Sequence, residues 1–245
     1  MQRRIAVYGG SFDPVHKGHL AIARKLIELF RLDEFLMMPA HVAPHKRRFG
    51  VTPALHRHAM LALATQADER VFVSTLELES PDMPYTVETL SRLCNEAGAE
   101  EENARVMFVM GADSWAEITT WREWERVLTM VDHIVVTRPG SPLELDHVTT
   151  EIRSRVSDLR GADAATIQRI VEQQQQQPST HRIYFTDAVH MEVSSTSARD
   201  AARSGVRENL RLTVPASVAD YIDKYKLYKA KREQRVTDVE RARSH

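Results

Sequence analysis

Residues 4–30 constrain the fold more than any other stretch of the chain. Arg4-Ile5-Ala6-Val7 is a short β-branched run that reads as the first strand of a buried sheet. Residues 20–30 read as an amphipathic helix, with the apolar positions 20, 23, 26, 27 and 30 on one stripe. Between them lies Tyr8-Gly9-Gly10-Ser11-Phe12-Asp13-Pro14-Val15-His16-Lys17-Gly18-His19, so the stretch is a strand-to-helix connection at the start of a βα unit. Gly9 and Gly10 carry no Cβ, which lets backbone N–H groups approach a phosphate closely. The start of a helix adds unsatisfied amides and a partial positive charge. His16 and His19 are spaced i, i+3, so both imidazoles share one face of the opening turn. The expectation is an anion cradle with two imidazoles at its mouth.

Each fragment alone has an ordinary explanation. Two histidines three apart on a helix are often surface residues or half a metal site, and a Gly-Gly pair after a strand is common in loops. Their convergence at one point favours function. A metal site is disfavoured here, because no cysteine is near and the nearest acid, Asp13, precedes Pro14 in the turn.

The chain has 245 residues, enough for one large domain or a domain with an appendage, and 42% apolar residues, ordinary for a globular core. Its 33 basic and 34 acidic residues nearly cancel, so nothing global argues for nucleic acid or membrane partners. The one cysteine, Cys94, excludes an intrachain disulfide and suits a reducing cytoplasm. It falls in an expected helix and reads as a small core filler. No apolar run reaches membrane-span length, and the N-terminus runs straight into a strand, so no signal peptide is expected.

Along the chain, residues 34–39 read as a second strand ending at Pro39. The loop 40–50 holds the basic cluster His45-Lys46-Arg47-Arg48. It is either a solvated loop or a flexible lid whose His45 and Lys46 close on phosphate. Thr52-Pro53 supplies an N-cap and an N1 proline for a helix through Leu55, Met60, Leu61 and Leu63, with Arg57 and His58 on its polar face. Residues 71–74 are a third strand and residues 77–84 a polar loop. A helix opens at 85–90, where Thr86 suits an N-cap. Residues 106–110 form the most continuous apolar run and read as a central parallel strand. It ends in Gly111-Ala112-Asp113-Ser114, where Asp113 is placed either for a ribose hydroxyl at the carboxyl end of the sheet or as the cap of the next helix. Residues 121–128 read as an amphipathic helix with Trp124 on its core stripe beside Val127 and Leu128, and Trp121 at its start is placed to stack on a ring. Residues 133–137 are strand five, and Arg138 follows at the same ligand edge.

Residues 141–181 carry helical patterns around Ile152, Val156 and Leu159, then Ile167, Ile170 and Val171, and end in the glutamine run 173–177. This stretch reads as a helical insertion with no assigned role. Strand character returns at 182–185. Ser194, Ser195 and Thr196 then open a helix, as caps first and as donors to a triphosphate second, with Arg199 one turn in on the same side. From 229 the tail is charged and without apolar period, which predicts a frayed helix or disorder. Alternating βα units imply an α/β doubly wound parallel sheet with C-terminal helices over residues 1–228.

The run from Gly9 to His19 resembles the signature of the HxGH nucleotidyltransferase superfamily, G-x-F-D-P-x-H-x-G-H. Pro44-His45-Lys46, Tyr85-Thr86-Val87-Glu88-Thr89-Leu90, Gly111-Ala112-Asp113-Ser114 and Val193-Ser194-Ser195-Thr196-Ser197-Ala198-Arg199 resemble further motifs of its nicotinate-mononucleotide adenylyltransferase branch, in the expected order over roughly residues 3–140 and 182–228. The last motif departs from the branch's Ile-Ser-Ser-Thr-x-Ile-Arg at Val193 and Ala198, neither of which is a donor. The resemblance implies a Rossmann-like nucleotidyltransferase fold and adenylyl transfer from ATP to nicotinate mononucleotide, with pyrophosphate released. It implies His16, His19, Lys46 and Arg199 as catalytic groups, and Gly9, Gly10, Ser11, Phe12, Gly111, Asp113, Arg138, Ser194, Ser195 and Thr196 as ATP-binding. His45, Tyr85, Thr86 and Trp121 would meet the mononucleotide, with Thr86 at the nicotinate carboxylate and Trp121 on the pyridine ring. Mg2+ would come with ATP, held by phosphate oxygens and water rather than by the protein. Homo-oligomerisation is left open. Two rivals fit the first signature: a phosphopantetheine adenylyltransferase, whose family is shorter and lacks the Tyr85-Thr86 and Trp121 features, and a non-catalytic nucleotide sensor, which has no need of the histidine pair and Arg199.

Overall fold

The computed structural model describes residues 3–41, 51–80, 84–100, 104–175, 180–189 and 193–229. Their strands are β1 (Arg3–Gly10), β2 (Glu34–Pro39), β3 (Val71–Val73), β4 (Ala104–Gly111), β5 (Asp132–Val136), β6 (Val156–Asp158) and β7 (Ile183–Thr186). They form one sheet in the order β3-β2-β1-β4-β5-β7-β6, and every pair is parallel. The expected doubly wound sheet is present. Chain order runs outward from β1 through β2 to β3 on one side and from β4 through β5 on the other, so the direction of winding reverses between β1 and β4. In open parallel sheets the crevice at that reversal, beyond the carboxyl ends of the strands, is where ligands bind.

Period-two alternation sends successive strand residues to opposite faces. Ala6, Met107, Val109, Ile134 and Tyr184 enter one core. Val7, Val106, Phe108, Met110, Val135, Ile183 and Phe185 enter the other. The first core is covered by α1 (Lys17–Phe30), whose expected stripe of Leu20, Ala23, Leu26, Ile27 and Phe30 is buried throughout. The helices α2 (Ala54–Thr65), α7 (Ala164–Gln175), α8 (Ser195–Ser204), α9 (Arg207–Thr213) and α10 (Ala216–Lys224) add to this face. The second core is covered by α3 (Thr86–Glu100), α4 (Ala112–Ala116), α5 (Trp124–Met130) and α6 (Thr150–Ser154). Cys94 packs against this second core in α3.

Several expectations shift. Gly9 and Gly10 are the last residues of β1, paired with Met38 and Pro39, and do not form a loop after it. The N-cap of α2 is Pro53, not Thr52. Arg57 is not on a polar face: only 1% of it is exposed, whereas Leu55 is 80% exposed. The buried positions of α2 are 57, 60, 61, 64 and 65, a 3.6-residue stripe that starts at the arginine. Thr86 is the first residue of α3, and the cap is made by Glu88, whose carboxylate accepts the Tyr85 N–H at 2.9 Å. The helix expected from Trp121 begins at Trp124. Trp121 closes a 3-10 turn over Ile118–Thr120, and Glu123 sits between in the left-handed region with φ 50°. Val156 lies in a strand rather than a helix. The segment 141–181 contributes β6, which pairs with β7, and α7, which packs on α1 through Arg31–Glu172 and Arg31–Gln168 contacts. The tail from 230 lies outside the described residues.

At the opposite, amino-terminal end of the sheet, Arg105 of β4 forms a buried two-pronged ion pair with Asp132 of β5. The Asp132 carboxylate also accepts the Arg182 N–H at 2.8 Å. Next to it, His133 is fully buried with Nδ1–H donating to the Val131 carbonyl at 3.0 Å. Burial holds its pKa down to about 4. The unfolded chain therefore binds a proton at this histidine between about pH 6.5 and 4, while the folded chain does not. Stability falls across that window as the pH drops, and this one side chain accounts for about 2 kcal/mol between pH 7.5 and 5. Urea unfolding at the two pH values should show His133→Gln narrowing the wild-type difference by about that amount; an unchanged difference would remove His133 as a source of acid sensitivity.

Candidate active site

Of the residues that the sequence singles out, His16, His19, Ser195 and Arg199 meet at the turn after β1, beside the reversal point between β1 and β4. His16 is the N-cap of α1, in extended conformation. Its backbone N–H donates to His19 Nδ1 at 3.2 Å, so the neutral His19 ring carries its proton on Nε2. The two imidazoles are stacked, with centroids 3.6 Å apart and planes 24° apart. Phe12 meets the His19 ring edge-on at 4.9 Å and Tyr8 at 5.9 Å. His19 is thus wedged between His16 and two aromatic rings. Burial lowers the His16 pKa to about 4. Burial, and then the neighbouring His16, hold His19 well below the ordinary histidine range. At neutral pH both rings are uncharged, so this pair offers hydrogen-bond donors rather than cations.

The glycines of the signature make room for rings. A Cβ on Gly18 would stand 3.0 Å from the His16 imidazole, and a Cβ on Gly10 would stand 3.1 Å from the Phe12 ring. Phe12 reaches that place with φ 45°, a left-handed conformation that a non-glycine residue adopts at a cost of about 1 kcal/mol or more. Its side chain is in the core, so only its backbone faces the turn.

The turn itself is held from a distance. The Ser11 carbonyl accepts Arg57 Nη1–H at 2.8 Å, and the Asp13 carbonyl accepts Arg199 Nη1–H at 2.8 Å. The Pro14 carbonyl accepts the Ser195 hydroxyl at 3.1 Å. The Asp13 carboxylate takes the Tyr228 hydroxyl at 2.7 Å and the Thr52 N–H at 3.3 Å. Lys17 Nζ reaches away, to the Arg211 carbonyl at 2.7 Å.

The second signature is therefore docked on the first. Ser194 caps α8, its Oγ accepting the Ser197 N–H at 3.1 Å. Ser195 ties α8 to Pro14. Thr196 Oγ1 accepts Arg199 Nη2–H at 3.0 Å, which steadies the guanidinium beside the turn. On the β4 side, Gly111 ends the strand and caps α4, with open space where a Cβ would be. Asp113 is exposed in the first turn of α4 and caps nothing with its side chain. Arg138 is exposed just beyond β5, at the same edge of the sheet.

The remaining candidates lie on the second-core side. Trp121 meets Phe108 edge-on at 6.4 Å, and the Phe108 ring lies 3.4 Å from a Cβ built on Gly9, which links Trp121 to the end of β1. Tyr85 lies under the Arg122 guanidinium at 4.9 Å. Thr86 is half-buried at the start of α3. A cleft of about 420 Å3 opens on this flank, lined by Glu77, Tyr85, Thr89, Arg92 and Arg122 among others; the histidine pair is not part of its wall. His45 and Lys46 lie outside the described residues. Among the described residues, no three His, Cys, Asp or Glu side chains come together as a metal-ligand set. Asp13, the acid nearest the histidines in sequence, already holds Tyr228 and Thr52. None of the described helices is long and apolar enough to cross a membrane.

Sequence reasoning missed Arg57, Glu77 and Tyr228. For Arg57 a signal existed: it falls on the same stripe as Met60, Leu61 and Ala64. For Glu77 and Tyr228 none did, because their partners are remote in sequence.

Comparison with known proteins agrees with this geometry. A family model described as cytidylyltransferase-like matches residues 7–201. A protein of Symbiobacterium thermophilum named a probable nicotinate-nucleotide adenylyltransferase is 35% identical over 226 residues, 92% of this chain and 95% of that one. A relative of the same name from Desulfatibacillum aliphaticivorans is 31% identical over 92% of this chain and 99% of its own length. A solved structure of Plasmodium falciparum nicotinic acid mononucleotide adenylyltransferase complexed with NaAD shares the fold, with a TM-score of 0.66 at 20% identity over 92% of this chain and 97% of that one. With the stacked histidines at the sheet's reversal point and these matches over nearly its whole length, the chain belongs to the cytidylyltransferase-like family, in the branch of the nicotinate-nucleotide adenylyltransferases.

Proposed function

We propose that this protein transfers the adenylyl group of ATP to nicotinate mononucleotide, releasing pyrophosphate and forming nicotinate adenine dinucleotide, a step of NAD biosynthesis in the cytoplasm. The observation that carries the reading is the stacked His16–His19 pair, its Nε2–H donor set at the reversal point and braced by Arg199. A phosphate oxygen of the mononucleotide attacks the α-phosphorus of ATP. A new P–O bond forms as the bond to the bridging oxygen breaks, and pyrophosphate leaves with the electron pair. The acceptor is already an anion at neutral pH, so no protein nucleophile is required. Catalysis then consists of alignment and of neutralising charge on the transferring phosphoryl group.

In this reading His19 donates Nε2–H to a non-bridging α-phosphate oxygen, with His16 beside it. Arg199 and Lys46 supply the positive charge that the neutral imidazoles do not. The backbone of Gly9, Gly10, Ser11 and Phe12 and the N-terminus of α8 at Ser194, Ser195 and Thr196 line the triphosphate. Gly111 and Asp113 meet the ribose, and Arg138 stands at the same edge. His45, by its motif, would hold the acceptor phosphate. Tyr85 and Thr86, at the positive end of a 15-residue helix, read the nicotinate carboxylate, and Trp121 covers the pyridine ring. A Mg2+ would travel with the triphosphate, held by phosphate oxygens and water, and would neutralise phosphate charge. Residues 1–228 act as one catalytic domain in this view.

His19→Ala should lower kcat by about two to four orders of magnitude in a pyrophosphate-release assay while thermal unfolding stays cooperative. A folded variant with near-normal kcat would take His19 out of the reaction. Acceptor choice is an independent measurement. Nicotinate mononucleotide should be used at least about tenfold better in kcat/KM than nicotinamide mononucleotide, because the amide loses the charge that the helix terminus favours. Equal values for the two acceptors would defeat the assignment of Thr86 and of the branch's substrate.

A further inference from the structure

Arg57 and Glu77 have no assigned substrate contact, yet Arg57 is buried against the Ser11 carbonyl and Glu77 lines the cleft beside Tyr85. They meet at one residue. The chain leaves β2 at Pro39, and the Ala40 N–H still donates to the Gly10 carbonyl at 2.9 Å. At His41 the carbonyl accepts Arg57 Nη2–H at 2.8 Å, and the N–H donates to the Glu77 carboxylate. Both backbone polar groups of one residue are thus held by side chains of opposite charge.

Each side chain also reaches one step further. Arg57 Nη1–H holds the Ser11 carbonyl at 2.8 Å and Nε–H holds the Thr52 carbonyl at 2.9 Å. Glu77 Oε1 accepts the Thr89 hydroxyl at 3.0 Å, and Thr89 lies in the first turn of α3, three residues after Thr86. A continuous polar chain therefore runs from the Ser11 carbonyl of the histidine-bearing turn through Arg57, the His41 backbone and Glu77 to Thr89. It joins the element that carries the imidazoles to the helix end that faces the acceptor. Its middle is poorly solvated: burial pushes the Glu77 carboxyl up, against Thr89, His41 and Arg57, and the Arg57 guanidinium down, against Asp13, Tyr228 and Glu77.

We propose that Arg57 and Glu77 are positioning residues that fix the spacing between the β1–α1 turn and the start of α3, and so bring the two bound nucleotides into line for transfer. The inference rests on the function proposed above, because it treats α3 as the acceptor side. In-line displacement is steeply sensitive to alignment, and a misplacement of about 1 Å costs on the order of a hundredfold in rate. A planar guanidinium serves three carbonyls at once, which a lysine ammonium on a flexible stem cannot do in the same geometry.

The test compares Arg57→Lys, Glu77→Leu, Glu77→Gln and the double variant Arg57→Lys/Glu77→Leu in the full chain. The wild-type rate with nicotinate mononucleotide tests the function by itself. Variant-to-wild-type ratios, taken with whichever acceptor the wild type turns over, test the positioning role. Arg57→Lys and Glu77→Leu should each lower kcat at saturating substrates by about ten- to a hundredfold. Calorimetric ATP affinity should stay within about threefold, because neither side chain touches the triphosphate. Glu77→Gln keeps an acceptor oxygen for both donors and should keep kcat within about threefold. The double variant should be little worse than the weaker single, since both grips act on one residue. Losses that multiply in the double variant, a Glu77→Gln as damaged as Glu77→Leu, or a folded Arg57→Lys within about threefold of wild type would overturn the proposal. Should Arg57→Lys not fold, the two Glu77 variants, at a half-buried position, decide it.

Discussion

Strand β1 ends inside the protein, and the turn that follows it has no ladder to satisfy its carbonyl groups. Buried backbone acceptors without partners are costly, so something else must supply donors. At Ser11, Asp13 and Pro14 that supply comes from Arg57, Arg199 and Ser195, which are 46, 186 and 181 residues away in the sequence. Hydrogen bonds from a guanidinium are worth about 1.5–3 kcal/mol each, more than most neutral ones. The requirement to satisfy three carbonyls therefore pulls α2 and α8 against the same short turn. The conformation of the turn and the placing of Arg199 are one structural event. Whatever holds the histidines also holds the arginine beside them.

That arrangement divides the electrostatic work. Stacking His16 on His19 and pressing Phe12 and Tyr8 against the second ring removes water from both imidazoles. Desolvation disfavours the imidazolium form, so the rings stay neutral, and the His16 backbone N–H sets the tautomer of His19. A neutral ring can be buried cheaply and aimed accurately, but it brings no net charge to an incoming triphosphate. The charge must come from side chains that cannot lose it. Arginine is suited to this, because its guanidinium remains protonated even when partly buried and can hold a carbonyl with one nitrogen while presenting others. Arg199 has that form, with one nitrogen on Asp13 and another on Thr196.

Much of this was legible in residue order, and the reasons are local. The stripe of α1, the continuous apolar run of β4 and the strand-to-helix turn each carry their own periodicity or punctuation, so their faces and ends could be read. The candidate site was legible where the signature residues are themselves the ones the fold brings to the carboxyl end of the sheet, at His16, His19, Asp113 and Arg199. What could not be read is what depends on distant partners. Arg57 looks like a surface residue because it is charged, although its place on the α2 stripe was visible. Tyr228 gives no sign that it ends on Asp13, since the pairing exists only once α10 has packed on α2. Trp121 and Trp124 read as one helix because tryptophan carries no boundary signal; the break comes from Glu123 adopting a left-handed conformation that its residue type does not announce. Val156 reads as helical because a strand of three residues is shorter than any period that could identify it.

The strand at Val156–Asp158 bears on the site nonetheless. β7 is followed by the segment that leads to α8, and all four of its residues are buried. A fully buried strand is unsuited to a sheet edge, where one flank would meet solvent and expose a row of unpaired backbone groups. β6 takes that edge instead, pairing with β7 from Val156–Ile183 to Asp158–Phe185. Its own residues are polar enough to face water, and Asp158 is bound by Arg160 on the surface. The α7 helix then returns over the sheet and is fastened to the end of α1 by Arg31. The stretch that looks least functional in the sequence thus covers the flank of the strand from which the second signature is launched. β7 is an interior strand because residues 156–158 lie beside it.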